Sequence, residues 1–337
     1  MRIAELAKAL HLPMLTVRRV LAGQAAEFSI SEAIVARVLE EARARGFPAP
    51  EHRPPARPAF SPALGLIVTD LTNPFFGTLA ASAEEAARVA GYVTLIGASG
   101  EDLGREQALI RDLRERGAVG LLVAAAGPDY EHLRKLQDEH YPFVLLDRVF
   151  EDFDCDWVAV ENQGAARALC EGLMERGARR VAYLGGHIRA STMRERLEGY
   201  RAALRRRQIP FDNTLVVLGD YTEHAGRTGA DKLLQLTPPP DAIFCANNRI
   251  FTGCLDRLAC APEHPWRHMP CACFDELPIM GHLGRPLLVA SQPERALAAK
   301  ATALLLERLR PAEGAVAKQG KPYRHELLEV PQKAFGF

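Results

Sequence analysis

Carboxylate, amide and guanidinium side chains recur immediately after short apolar runs in this chain. Asp147 and Arg148 follow the run 142–146, Asn247 follows 242–246, Asp275 follows 270–274, and Gln292 closes 287–292. Asn73, Phe75 and Phe76 stand just beyond 63–69, and Tyr221 just beyond 214–220. Carboxylates and amides exchange hydrogen bonds with hydroxyls. An arginine forks onto vicinal oxygens or a phosphate, and the aromatic rings offer flat walls to the C–H face of a ring. Together these groups suit a polyhydroxylated ligand. Taken singly, Asn73-Pro74 is equally a turn before a helix, and Phe75 and Phe76 are ordinary core residues.

Other chemistries are less well supported. His264, His268, Cys271 and Cys273 bring nitrogen and sulfur together within ten residues, a composition that suggests zinc. Their spacing lacks the C-x2-C knuckle, and Cys271 and Cys273 alternate along an expected strand. Two thiols packed on one buried face are the simpler reading, and no metal is expected. There is no G-x-S-x-G elbow, no Walker loop and no G-x-G-x-x-G after a strand; Gly185-Gly186 lacks the third glycine. A binding protein without a cofactor is expected, not an enzyme.

Strands must place the polar residues. Apolar runs at 63–69, 92–97, 119–125 and 142–147 are separated by helix-like patterns, and a second series occupies 181–186, 214–220, 242–247, 270–275 and 287–292. Such alternation implies parallel sheets covered on both faces. Nine strands exceed one comfortable sheet, so two similar α/β halves are expected. Their ligand site would lie at the carboxyl ends of the strands, in the cleft between the halves.

The N-terminus differs in kind. Ile3, Leu6, Ala7 and Leu10 make one apolar helical face, and His11-Leu12-Pro13 breaks it. A second helix over 14–21 buries Val17, Val20 and Leu21 and turns Thr16, Arg18 and Arg19 outward. Ser29 or Ser31 caps a third, Ser29-x-x-Glu32 matching a capping box, with Ile34, Val35, Val38, Leu39 and Ala42 as its stripe before Gly46. Three such helices form a small headpiece, 1–47, that reads as a helix-turn-helix; a helical cap on an enzyme is the plain alternative. Six prolines in 48–62 then make a stiff linker.

Composition sets the outer bounds. The 337 residues carry 42 Lys and Arg against 42 Asp and Glu, so net charge neither supports nor excludes nucleic acid. Residues 1–60 hold nine basic and six acidic residues, a modest asymmetry. Seven cysteines without a repeating spacing indicate reduced thiols. No apolar run spans a membrane and no signal-peptide core is visible, so a cytoplasmic protein is expected.

The motifs in register resemble the LacI family of transcription regulators over nearly the whole chain. Residues 7–23 are similar to its helix-turn-helix. Asp70-Leu71-Thr72-Asn73-Pro74-Phe75-Phe76 matches its first ligand loop, and Leu146-Asp147-Arg148, Arg196-Leu197-Glu198-Gly199-Tyr200, Gly219-Asp220-Tyr221, Ala246-Asn247-Asn248, Phe274-Asp275 and Gln292 follow in family order. The resemblance alone selects Arg196 from its basic neighbours Arg189, Arg194 and Arg201. It implies a periplasmic-binding-protein-like core at 63–337. One subdomain would span about 63–160 and 292–315, the other about 161–291. It also implies a homodimer, operator DNA read by Met14, Leu15, Thr16, Arg18 and Arg19, and a sugar or sugar-phosphate effector. The spacer at 25–31 and Phe274-Asp275-Glu276-Leu277 look most like the fructose-repressor branch.

Departures weaken the DNA half. His11 replaces a glycine suited to positive φ, Pro13 replaces a capping serine, and Met14 and Leu15 can reach thymine methyls but form no bidentate hydrogen bonds. The stretch aligned with the family's hinge helix, 51–60, contains Pro54, Pro55 and Pro58, with Ala56 at the position of the minor-groove wedge. A sugar sensor without operator-specific binding is the alternative function.

Overall fold

The computed structural model describes residues 3–21, 25, 30–45, 61–259, 268–310 and 322–337. It contains two compact units, 1–61 and 62–337. Ser29, Gly46, the proline-rich hinge 51–60 and His264 lie outside the described residues.

In the first unit, α1 (Ile3–Ala9), α2 (Met14–Leu21) and α3 (Glu32–Ala44) bury Leu6, Ala7, Leu10, Val17, Val20, Val38 and Ala42. Leu21 is only partly buried. His11 takes φ 53°, the left-handed conformation that suits glycine at this turn. Pro13 supplies its carbonyl to the amides of Thr16 and Val17 at 3.0 and 3.2 Å, but it has no side-chain acceptor to cap α2. Ser31 precedes α3 without a side-chain cap, so the expected capping hydroxyl is not used there.

The second unit is α/β throughout. The first sheet has the order β11-β5-β4-β3-β1-β2, where β1 is Ala63–Val68, β2 Val93–Ala98, β3 Ala118–Val123, β4 Phe143–Leu146, β5 Trp157–Val160 and β11 His325–Leu328. All its pairs are parallel. The second has the order β12-β10-β9-β8-β6-β7, with β6 Val181–Gly186, β7 Val216–Gly219, β8 Ala242–Cys245, β9 Cys271–Phe274, β10 Leu287–Ala290 and β12 Gln332–Phe335. Only β12 is antiparallel there.

Helices cover both faces of each sheet, as apolar parallel strands require. Helices α4 (Pro74–Val89) and α11 (Glu294–Leu309) close one face of the first sheet, α5 (Leu103–Glu115) and α6 (Glu131–Asp138) the other. Helices α7 (Asn162–Glu175) and α8 (Ser191–Arg206) close one face of the second, α9 (Glu223–Leu234) and α10 (Asn248–Ala259) the other.

Among the described residues the chain crosses between the two lobes at Glu161, at 291–293 and at 329–331. Two backbone bonds tie the crossings, Glu161 N–H to Leu328 O at 2.9 Å and Ser291 N–H to Pro331 O at 2.8 Å. The nine expected strands are present, and β5, β11 and β12 join them. The C-terminal segment thus adds one strand to each sheet, which the sequence-based boundaries did not assign.

Candidate effector-binding cleft

Loops at the carboxyl ends of both sheets enclose a cleft of about 950 Å³. All ten sequence-predicted ligand residues line it: Asn73, Phe75, Phe76, Asp147, Arg148, Arg196, Tyr221, Asn247, Asp275 and Gln292.

The two lobes use the same device. Asp147 directly follows β4 and Asp275 directly follows β9, the third strands in their sheet orders. Both take left-handed backbone, φ 68° and 74°, a conformation that Asp tolerates better than most residues. Each backbone N–H then bonds the adjoining strand or its end, Asp147 to Val158 O and Asp275 to Ala290 O, both at 3.0 Å. The chain reverses sharply after each strand, and both carboxylates are buried in the cleft wall.

Burial pushes the Asp147 carboxyl up to about 6, against the opposing pull of Arg148 and Arg196. Burial also raises Asp275, opposed by Arg196 and by the hydrogen bond from Gln292. Gln292 Nε2 donates to Asp275 Oδ1 at 2.5 Å. Gln292 does not close the last strand, as its sequence suggests; it sits in the second crossover, beyond β10.

Arg196 is not at a strand end either. It lies in the second turn of α8, yet only 3% of it is exposed, unlike Arg189 and Arg194. Its Nε donates to Asn162 Oδ1 at 2.9 Å and its Nη1 to Ala246 O at 2.8 Å, with Asp275 Oδ2 at 3.9 Å. The guanidinium lies 3.6 Å from the Phe274 ring centroid. The motif's other members explain its spacing. A Cβ at Gly199 would meet Gln163 O at 2.3 Å, so glycine lets α8 approach α7. Tyr200 is fully buried and donates to Val181 O at 2.9 Å.

Arg148 is already engaged. Its two terminal nitrogens grip Glu101 at 2.6 and 2.7 Å, and Nη1 also donates to Ala125 O at 3.0 Å. Glu101 was not singled out in the sequence; its position just beyond β2 was the available signal. Asn162 was missed because it follows β5, which was itself missed. Arg148 also lies 5.3 Å from the Tyr221 ring centroid, and the Tyr221 hydroxyl donates to His187 O at 2.8 Å.

Asn73 serves fold and cleft together. Its Oδ1 caps α4 through Phe75 N–H at 3.1 Å and accepts from Asn248 Nδ2, across the cleft, at 3.0 Å. Arg249 adds a second link to Asp70, at 2.8 Å. Asn247 caps α10 through Ile250 N–H at 2.7 Å and donates to Tyr221 O at 3.3 Å, so both ends of its amide hold local structure. Phe75 and Phe76 pack edge to face in the core and reach the cleft with the remaining 4% and 5% of their surface.

Elsewhere, Cys271 and Cys273 lie in the apolar core with Cys245 and Cys254. Burial pushes the Cys271 thiol up to about 12. In the first unit, Met14 and Leu15 are 49% and 54% exposed, Arg18 is exposed, and Thr16 and Arg19 are half-buried.

Known proteins share this organisation. Residues 61–261 match the family of periplasmic binding proteins and sugar binding domain of LacI family. The HTH-type transcriptional repressor PurR of Vibrio atlanticus is 26% identical over 73% of this chain and 74% of its own length. The maltose regulon regulatory protein MalI of Escherichia coli is 31% identical over 74% and 73%. A crystal structure from Burkholderia thailandensis, assigned as a ribose operon repressor, superposes with TM-score 0.71 at 29% identity, covering 80% of this chain and 98% of that one. With two strand-end aspartates facing one cleft and this match over more than half its length, the chain belongs to the LacI family of transcription regulators.

Proposed function

We propose that the cleft binds a sugar or sugar-phosphate effector, and that this binding controls how tightly the N-terminal helix-turn-helix holds operator DNA. The observation that carries the reading is the pair of buried aspartates, one from each lobe, flanking Arg196. A ligand touching both would bias one arrangement of the lobes over another, which is what a ligand-controlled switch requires. Residues 1–47 form the DNA-binding headpiece, 48–62 the linker and 63–337 the effector core. Met14, Leu15, Thr16, Arg18 and Arg19 meet the DNA, and the ten cleft residues named above meet the effector.

The protein acts as a cytoplasmic homodimer and not as an enzyme. Repressor relatives support the regulator over the sensor lacking operator-specific binding. Among the described residues no helix is long and apolar enough to cross a membrane, in keeping with that setting. A thermal-shift screen of sugars, sugar phosphates and nucleobases, paired with selection of duplexes from a random library, tests the reading. A ligand at 100 times its Kd adds about 2.7 kcal/mol of stability and changes retention of the selected duplex. A stabilising ligand that leaves retention unchanged contradicts it.

A further inference from the structure

The effector reading leaves open whether the ligand carries a phosphate, and the wiring of the cleft bears on that choice. Recognising a phosphate takes an arginine fork or clustered donors. The buried cations here are already committed: the Arg148 fork grips both Glu101 oxygens, and Arg196 donates to Asn162 and Ala246 with Asp275 beside it. Arg249, half-buried, is held by Asp70 and Thr72. Arg105 and Arg189 are exposed, where water solvates them. Among the described lining residues seven carboxylates face five arginines, so the balance stays negative even with Asp147 protonated.

The buried lining atoms without a partner tell the same story. Asp147 Oδ1 and Gln292 Oε1 are acceptors, Thr69 Oγ1 serves either role, and Arg148 Nε and Arg249 Nε each offer one N–H. Arg148 Nε lies 4.0 Å from Asp147 Oδ2, and the second oxygen of that carboxylate, Oδ1, has no partner. Hydroxyls both donate and accept, so they suit a site that offers an N–H and a carboxylate oxygen together. A phosphate oxygen at that place would set acceptor against acceptor.

We infer that the effector presents uncharged hydroxyls to Asp147 and Arg148, and that Glu101 excludes phosphorylated ligands by occupying the Arg148 fork. Glu101 is therefore a specificity residue of the cleft. Its own backbone is left-handed, φ 62°, in the turn that follows β2.

The inference rests on the effector reading, and one titration series separates the two. Ribose, fructose and glucose are compared with ribose 5-phosphate, fructose 1-phosphate and glucose 6-phosphate on the full chain by calorimetry. At least one neutral sugar binds, and its phosphate binds weaker by about tenfold or more. Glu101→Gln frees the fork without adding bulk and narrows that ratio by about tenfold. A phosphate that binds wild type as well as its parent sugar, or an unchanged ratio in a folded Glu101→Gln protein, overturns the inference and leaves the effector reading standing. Binding of none of the six overturns both. The wild-type comparison stands even if the variant fails to fold.

Discussion

Asp147 in the first lobe and Asp275 in the second share a strand position, a left-handed backbone and a hydrogen bond to the adjoining strand. Their surroundings differ. Gln292 already donates to Asp275, with Arg196 close by, whereas Asp147 keeps an unpartnered oxygen and its neighbouring arginine is drawn away by Glu101. One aspartate belongs to a network that is finished around its own carboxylate, although Gln292 Oε1 stays unpartnered, and the other lacks a donor at Oδ1. Similar folding of the two lobes therefore does not make their aspartates equivalent. Under the proposed effector reading, the second lobe's network would stabilise the fold as well as the ligand, and the first lobe's aspartate would serve the ligand at some cost to the fold.

The largest expected effect tests the finished network. Arg196→Ala leaves Asp275 buried beside no cation and strands the Asn162 and Ala246 acceptors, so unfolding in urea should show a loss of about 3–5 kcal/mol. Stability within a few tenths of wild type would remove Arg196 from any structural role. Asp275→Asn should weaken the effector by about 1.5–3 kcal/mol in calorimetry, the contribution of a charged hydrogen bond. Wild-type affinity would take Asp275 out of the site.

Asp147→Asn sharpens the contrast because its effect on stability has the opposite sign. The folded carboxyl, pushed up to about 6 from 3.8 by burial, binds its proton more tightly than the unfolded chain does. The unliganded protein therefore loses stability as pH rises from about 4 to about 6, and the deficit persists above it. Asparagine tolerates the left-handed backbone and carries no charge, so the variant should gain on the order of 1–3 kcal/mol at pH 7.5. Its effector affinity should also lose the fall, up to about tenfold per pH unit, expected of wild type below pH 6. A destabilised variant at pH 7.5 would show that Asp147, too, is part of a finished network.

The smallest effect lies in the headpiece. His11→Gly relieves a left-handed histidine and should stabilise α1 and α2 by about 1 kcal/mol, seen as roughly fivefold slower amide exchange there in the full chain. Unchanged exchange would mean that the turn carries no strain.

Positions set by backbone geometry were the most legible in the sequence. A residue after an apolar strand must turn, and Asp147, Asn247 and Asp275 stand there. The left-handed turn at His11 could be anticipated from the resemblance, which implies a glycine at this position. Arg196 was harder: flanked by other arginines on a helix, it shows its burial only through Gly199 and Tyr200, which bring α8 against its neighbours. Strands β11 and β12 stayed hidden because each is an edge strand, largely exposed and carrying charged residues. Glu101 was out of reach for another reason. Its partner lies 47 positions away, and nothing in the local pattern records that pairing.

The central claim is that one effector engages both strand-end aspartates and thereby controls DNA binding. The most direct measurement titrates the best neutral sugar from the screen into wild type, Asp147→Asn and Asp275→Asn, each bound to the selected duplex. The account predicts that wild type changes its grip on the duplex, and that either variant needs about tenfold or more ligand for the same change. Equal response of all three proteins to the same sugar concentration would contradict it.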